Sequence, residues 1–273
     1  MVRKIKNGNW LLTRRWKMLT RTDLEGYRSI LDYNLGQIEK DYLQHLILSL
    51  ISRHIGDELV FKGGTCLQKV FSLNRFSEDL DFTQNRFLNV DTLSISIERG
   101  LSGFGYTTST EVERKRVSCG FSLKIQGPLY QGTEKSLCSI HIEISLRENV
   151  LYDPEFKSLY PVYEDLPPYS ILVMKTSEIL AEKLRAMITR DRARDLYDIY
   201  FLLRKNTTIE WDVIEKKMQY YKRTMNIDEI QEAIEAKRYV WDREIPQLVT
   251  LMHNFEEVRE YVSKKVIESY DSR

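Results

Sequence analysis

Residues 61–82 read FKGGTCLQKVFSLNRFSEDLDF. The whole chain has only 12 glycines, and two stand together here, directly after the apolar run of ELVF and directly before a stretch with helical spacing. In TCLQKVFSL, Leu67, Val70 and Phe71 fall on one helix face, so the segment predicts a strand, a glycine turn and a helix. A second strand is predicted over residues 80–83, where apolar residues alternate with Asp79 and Asp81. Side chains on a strand alternate between faces, so the two aspartates point one way while Leu80 and Phe82 point into the core.

Two carboxylates on one strand face are half of a magnesium site, since that ion takes oxygen ligands, commonly one or two carboxylates completed by water and phosphates. By itself the pair reads as solvated strand carboxylates, which are common. The glycines add to it. Between a strand and a helix, Gly63 and Gly64 offer bare backbone N–H groups where phosphate oxygens are held. Thr65 is placed as N-cap or as a hydroxyl ligand to phosphate. The turn is neither a Walker A loop nor GxGxxG, and alone it reads as a tight turn. A third carboxylate comes from SIHIEIS (139–145): Ile140, Ile142 and Ile144 form the inner face, and Ser139, His141, Glu143 and Ser145 the outer. Glu143 is the best third ligand, and His141, on the same face, reads as a solvated strand histidine ahead of a pocket-lining one.

The rest of the chain sets the frame. Its 273 residues are 42% apolar and 30% charged with a formal charge of +1, as expected for a soluble globular protein of one large domain or two small ones. No apolar run is long enough to span a membrane and the start lacks a signal-peptide core, so a cytoplasmic protein is expected. Three widely spaced cysteines, Cys66, Cys119 and Cys138, argue against disulfides and structural zinc. Eight Lys and Arg among residues 1–28, with Trp10 and Trp16 between them, form a basic arm that either touches a phosphate backbone or is simply solvated. Helical spacing predicts a long helix over 30–55, with Gly36 a possible interruption, and another over 90–101. Strands are expected at 106–116, 120–126 and 137–146. Prolines cluster at 153–168, read as a linker, and helical patterns fill 173–203, 211–221, 228–249 and 255–270. The outline is α+β: a mixed-sheet core with N-terminal helices (1–160) followed by an all-helical domain (161–273).

The order strand, GG[ST], helix, DxD strand and later acidic strand resembles the DNA polymerase β nucleotidyltransferase superfamily. More narrowly, FKGGTCLQKVF with RFSEDLDF, and later EILAEKLRAM with RDLYDIYFLL, resembles the AbiEii toxins of toxin-antitoxin systems, a family that includes the MenT toxins. The resemblance runs from about residue 59 to 203. It implies a polymerase-β-like core in which Asp79, Asp81 and Glu143 hold two Mg²⁺ ions, and Gly63, Gly64 and Thr65 hold the phosphates of an NTP. Lys183 would reach the triphosphate, and Asp195 and Asp198 match the family's DLYD motif. The implied reaction transfers a nucleoside monophosphate to the 3′ end of tRNA and releases pyrophosphate, and a cognate antitoxin is an implied partner. Transfer to a protein hydroxyl, or an inactive nucleotide- or RNA-binding module, are the alternatives.

Geometry restricts these roles. In one unbroken helix, Lys183 and Asp198 would lie about 22 Å apart along the axis at 1.5 Å per residue. If both serve one site, the helix must break near residues 189–192 and fold back. A structural role for one aspartate is as well supported as a catalytic one, with Arg194 the i,i+4 partner of Asp198. Arg75 is read as an ion-pair partner of Asp79 ahead of a nucleotide contact, the run Tyr220, Tyr221, Lys222, Arg223 as helix packing ahead of an RNA stack, and Cys66 as a small packing residue.

Overall fold

The computed structural model describes residues 18–224, 226–249 and 253–273. The basic arm, apart from Arg21 and Arg28, lies outside the described residues. Two short helices, α1 (Arg21–Gly26) and α2 (Arg28–Leu31), precede the long α3 (Leu35–His54). The predicted long helix therefore begins later than its periodicity suggests. Asp32 turns left-handed at φ 52°, and a capping box starts α3 anew, with Asn34 accepting from the Gln37 amide at 3.0 Å. Gly36 sits inside the first turn and interrupts nothing.

The core sheet contains β1 (Leu59–Lys62), β2 (Leu80–Gln84), β3 (Thr107–Arg114), β4 (Ser118–Gln126), β5 (Cys138–Ser145), β6 (Glu155–Leu159) and β7 (Tyr169–Val173), in the order β3-β4-β5-β2-β1-β7-β6. The pairs β2–β5 and β1–β7 are parallel and the others antiparallel. Two more helices, α4 (Gly63–Phe71) and α5 (Val90–Gly103), pack with α3 on the sheet. Phe61, Phe82, Ile142 and Ile144 are all buried, as strand alternation requires. The proline-bearing stretch at 153–168 is not a free linker, because it supplies β6 and leads into β7, so the sheet runs on to Val173.

Among the described residues six α-helices follow: α6 (Thr176–Thr189), α7 (Ala193–Arg204), α8 (Trp211–Gln219), α9 (Ile227–Ala236), α10 (Arg238–Glu244) and α11 (Phe255–Asp271). The expected break between Lys183 and Asp198 is present at residues 190–192, where Arg190 and Arg192 adopt extended backbone. It is pinned from outside. Lys237 Nζ donates to the Arg190 carbonyl at 3.1 Å, and Glu244 accepts from the Ala193 amide at 3.0 Å, capping α7. No helix among the described residues is long and apolar enough to cross a membrane, and the three cysteines are free.

Candidate active site

Asp81 and Glu143 are directly opposite one another in the parallel β2–β5 pair, and Lys62 is opposite Asp81 on the other side in β1. All three line one cavity of about 240 Å³, together with Gly63, Lys183 and Arg190. Asp79 lies just before β2 and outside that lining, close enough to act on the Asp81 charge. Burial raises the Asp81 carboxyl above the ordinary range, and Asp79 and Glu143 add to the rise while Lys183 and Lys62 oppose it. Burial is the largest of these causes. His141, on the same face of β5, bonds to Ser122 Oγ at 2.9 Å and sits in a small recess beside Glu143.

The double glycine is explained by what surrounds it. Gly63 has φ +76°, and a Cβ there would run into the Asp81 carboxylate. A Cβ on Gly64 would meet the Arg75 guanidinium and Ser77 Oγ. Only glycine lets the turn approach both groups so closely. Helix α4 starts at Gly63 with Lys62 as its N-cap, so Thr65 is not the cap. Its buried hydroxyl donates to the Asp79 carbonyl at 2.5 Å, tying the glycine turn to the acidic strand.

Lys183 and the DLYD aspartates converge across the helix break. Lys183 Nζ lies 2.7 Å from Asp198 and 3.2 Å from Asp195. Asp195 also takes a two-point contact from Arg190 at 2.7 and 2.8 Å. Arg75 pairs with Asp198, not Asp79, and Arg194 is not the Asp198 partner: a buried arginine from the β2 approach takes that place. Burial works to raise both aspartates, but the cations prevail. Lys183 and Arg190 hold Asp195 far below the carboxylate range, and Arg75 and Lys183 hold Asp198 down. Three cations thus face two carboxylates. The side chains of Arg75 and Lys183 are 2% and 9% exposed, whereas that of Arg190 is 48% exposed, so the surplus positive charge is presented to the cavity by Arg190.

A second ionic cluster lies beneath the same cavity. Glu182 is 2.9 Å from Lys62 and 2.8 Å from Lys217, and Lys217 is 2.8 Å from Glu178. Lys217 is wholly buried, and burial that would lower its ammonium is outweighed by the three glutamates Glu182, Glu178 and Glu148. Strand β1, helix α6 and helix α8 are joined through these charges.

Sequence reasoning missed Lys62, Glu182, Arg190 and Lys217. For Lys217 a signal existed, since Ile214 and Met218 place it on the apolar face of α8, where a lysine must find buried partners. The family description "Nucleotidyl transferase AbiEii toxin, Type IV TA system" matches residues 47–263. The chain belongs to the AbiEii nucleotidyltransferase toxin family. The matched span contains every strand, the glycine turn and the helix break.

Solved structures share the fold of this AbiEii-family nucleotidyltransferase. JHP933 from Helicobacter pylori is 18% identical, with 86% of this chain and 92% of that one covered, at a TM-score of 0.58. MenT4, the nucleotidyltransferase toxin Rv2826c from Mycobacterium tuberculosis H37Rv, is also 18% identical, with 93% and 90% covered, at 0.58. No curated protein sequence matches it.

Proposed function

We propose that the chain transfers a nucleoside monophosphate from an NTP to the 3′ end of tRNA, acting in the cytoplasm as the toxin beside a cognate antitoxin. The observation that carries this reading is the in-register pairing of Asp81 and Glu143 on the same cavity as Gly63, Lys183 and Arg190.

The donor set fits magnesium. Among the described residues no three His, Cys, Asp or Glu side chains are gathered closely enough to hold a metal ion unaided. Magnesium needs fewer: one or two carboxylates suffice when waters and substrate phosphates complete the shell. Asp81 and Glu143 stand opposite one another in the β2–β5 pair and both line the cavity, so two strands offer carboxylate oxygens to one space. Asp81 and Glu143, with Asp79 beside them, would hold Mg²⁺, two ions being expected. Bound magnesium supplies charge neutralisation on the triphosphate and lowers the pKa of the acceptor hydroxyl.

The acceptor's 3′ oxygen attacks the α-phosphorus and forms the new P–O bond. The bond from that phosphorus to the α,β-bridging oxygen breaks, and pyrophosphate leaves with the electron pair. The hydroxyl proton passes to a strand carboxylate, Asp81 or Glu143. Arg190 complements the charge growing on pyrophosphate, since a guanidinium stays protonated and meets phosphate at two points. Lys183 acts from a fixed position, because Asp195 and Asp198 hold its ammonium. Those aspartates are positioning residues: both are buried and neither lines the cavity. The free amides at the start of α4, from Gly63 to Thr65, receive phosphate oxygens.

The test incubates the protein with Mg²⁺, each labelled NTP in turn and total cellular tRNA, with Asp81→Ala as control. Label on tRNA from wild type and not from the variant is the expected result. No label on RNA or protein with any nucleotide would sink the reading. Label on protein alone would move the acceptor to a protein hydroxyl.

A further inference from the structure

Tyr221 belongs neither to the acidic strands nor to the cation network at the helix break, yet it lines the cavity. It lies past the end of α8, so helix packing does not account for it. Two guanidiniums lie over its ring, Arg147 at 4.3 Å and Arg185 at 4.1 Å from the centroid. Its hydroxyl donates to Glu148 Oε1 at 2.8 Å, and the same oxygen accepts from Arg185 at 3.0 Å. Ring and Arg185 are therefore fixed, whereas Arg147 has no carboxylate partner among the described residues.

More unpaired charge gathers beside it. The Leu146 amide donates to the Val117 carbonyl at 2.9 Å, which brings the exposed Arg116 alongside the Arg147 segment. Lys222, exposed, follows Tyr221 directly. Neither cation has a carboxylate within ion-pair distance among the described residues. Like charges repel, so an unpaired group of this kind is stabilised when an anion joins it. A guanidinium stacked on an aromatic ring is already ordered and loses little freedom on meeting a phosphate. Arg147 also lies only four residues beyond Glu143, no more than about 14 Å along an extended chain.

We infer that Arg147, Arg185 and Tyr221, with Arg116 and Lys222 at the rim, form a platform for the phosphodiester backbone of a single-stranded RNA end, leading its 3′ hydroxyl to Glu143 and Asp81. This rests on the nucleotidyl-transfer reading and specifies its acceptor side. A strand with a phosphate on every nucleotide matches several separate cations, whereas a protein hydroxyl brings no charge for them. With two guanidiniums over the Tyr221 ring, the platform holds phosphates without reading bases, so binding is salt-dependent and tolerant of sequence.

The experiment measures fluorescence anisotropy of labelled total tRNA and of a short single-stranded RNA oligonucleotide, without NTP, across a salt series. Arg147→Ala is expected to weaken both about tenfold and to flatten the log–log salt slope by about 0.7, the value for one phosphate contact on a single strand. Tyr221→Leu should weaken binding similarly. Lys157→Ala on β6, far from the platform in the sheet order, should bind within about twofold of wild type. Circular dichroism melts establish that each variant is folded. Wild-type affinity in Arg147→Ala and Tyr221→Leu, both folded, would overturn the platform. So would failure of wild type to bind either RNA, while the label-transfer assay separately decides whether nucleotide transfer itself stands.

Discussion

Arg75 and Asp198, 123 residues apart in sequence, form a buried two-point ion pair with Nε–Oδ1 at 2.6 Å and Nη2–Oδ2 at 2.7 Å. The arginine comes from the loop before β2 and the aspartate from α7, so the pair fastens the helical half of the chain to the strand that carries Asp81. Gly64 leaves the space in which the guanidinium sits.

Asp198→Asn removes the negative charge but keeps the shape, leaving Arg75 and Lys183 charged in a buried setting. Breaking one side of a buried pair costs about 3–5 kcal/mol, and that loss is expected here. Urea denaturation of wild type and variant, compared at equal m-values, measures it. A loss below about 1 kcal/mol would mean that solvent reaches the pair and screens it.

Gly63→Ala forces a side chain into left-handed backbone and against Asp81. Backbone strain of this kind costs about 1–3 kcal/mol, and displacement of Asp81 should lower nucleotide transfer more than stability. Gly103→Ala, where a Cβ would meet nothing within 4 Å, is the control and should stay within about 0.5 kcal/mol of wild type. Equal transfer activity in the two variants would refute the close-approach explanation of the double glycine.

What the sequence shows and what it hides follow from range. The facing of Asp81 and Glu143 comes from strand alternation, a local rule that acts over a few residues, whereas the break before α7 follows from the rise of a helix only once the family resemblance puts Lys183 and Asp198 at one site. The partners of Asp198 and Glu182 come from far along the chain. Arg194, four residues from Asp198, satisfies the local pairing rule, but a buried arginine 123 residues away takes that place because it meets both carboxylate oxygens with two aligned donors. The proline-bearing stretch misled in the same way, since edge strands tolerate proline nearby and β6 is an edge strand.

His45 gives a pH dependence remote from the cavity. Burial, and next the charge of Lys69, push its pKa down to about 3, with Asp41 partly opposing. Its Nδ1 bonds the Tyr169 hydroxyl at 2.9 Å, and Asp41 is occupied by Lys69 and Tyr163. A folded-state pKa below the unfolded value of 6.5 means that the unfolded chain binds more protons between pH 6.5 and about 3, so stability falls as pH drops through that window. Between pH 6.5 and 5 the loss is about 2 kcal/mol at 1.36 kcal/mol per unit. Thermal or urea unfolding at pH 7.5 and pH 5 should show this slope in wild type and a much flatter one in His45→Gln. The low pKa of Asp41 confines its own effect to lower pH. An equal slope in both proteins would remove His45 as the cause.

Arg190 and Lys183 separate by how each is held. Arg190 is half exposed and tied to one buried carboxylate, while Lys183 is buried between two. Arg190→Ala should therefore fold with little loss, because the remaining Lys183 still balances Asp195 and the lost contact is partly solvent-screened. Transfer should suffer more, with kcat/KM for the NTP down about 10²-fold, the usual scale for removing one transition-state charge contact. Arg190→Lys should recover only part, since an ammonium cannot meet Asp195 and phosphate in the same planar two-point geometry. Lys183→Met should show the reverse balance, a large loss of stability together with loss of transfer, because Asp195 and Asp198 would face each other with less compensation. Steady-state kinetics beside urea denaturation of the three variants distinguishes the roles. If Arg190→Ala loses stability and Lys183→Met does not, the assignment of the exposed cation to substrate and the buried one to scaffold is wrong.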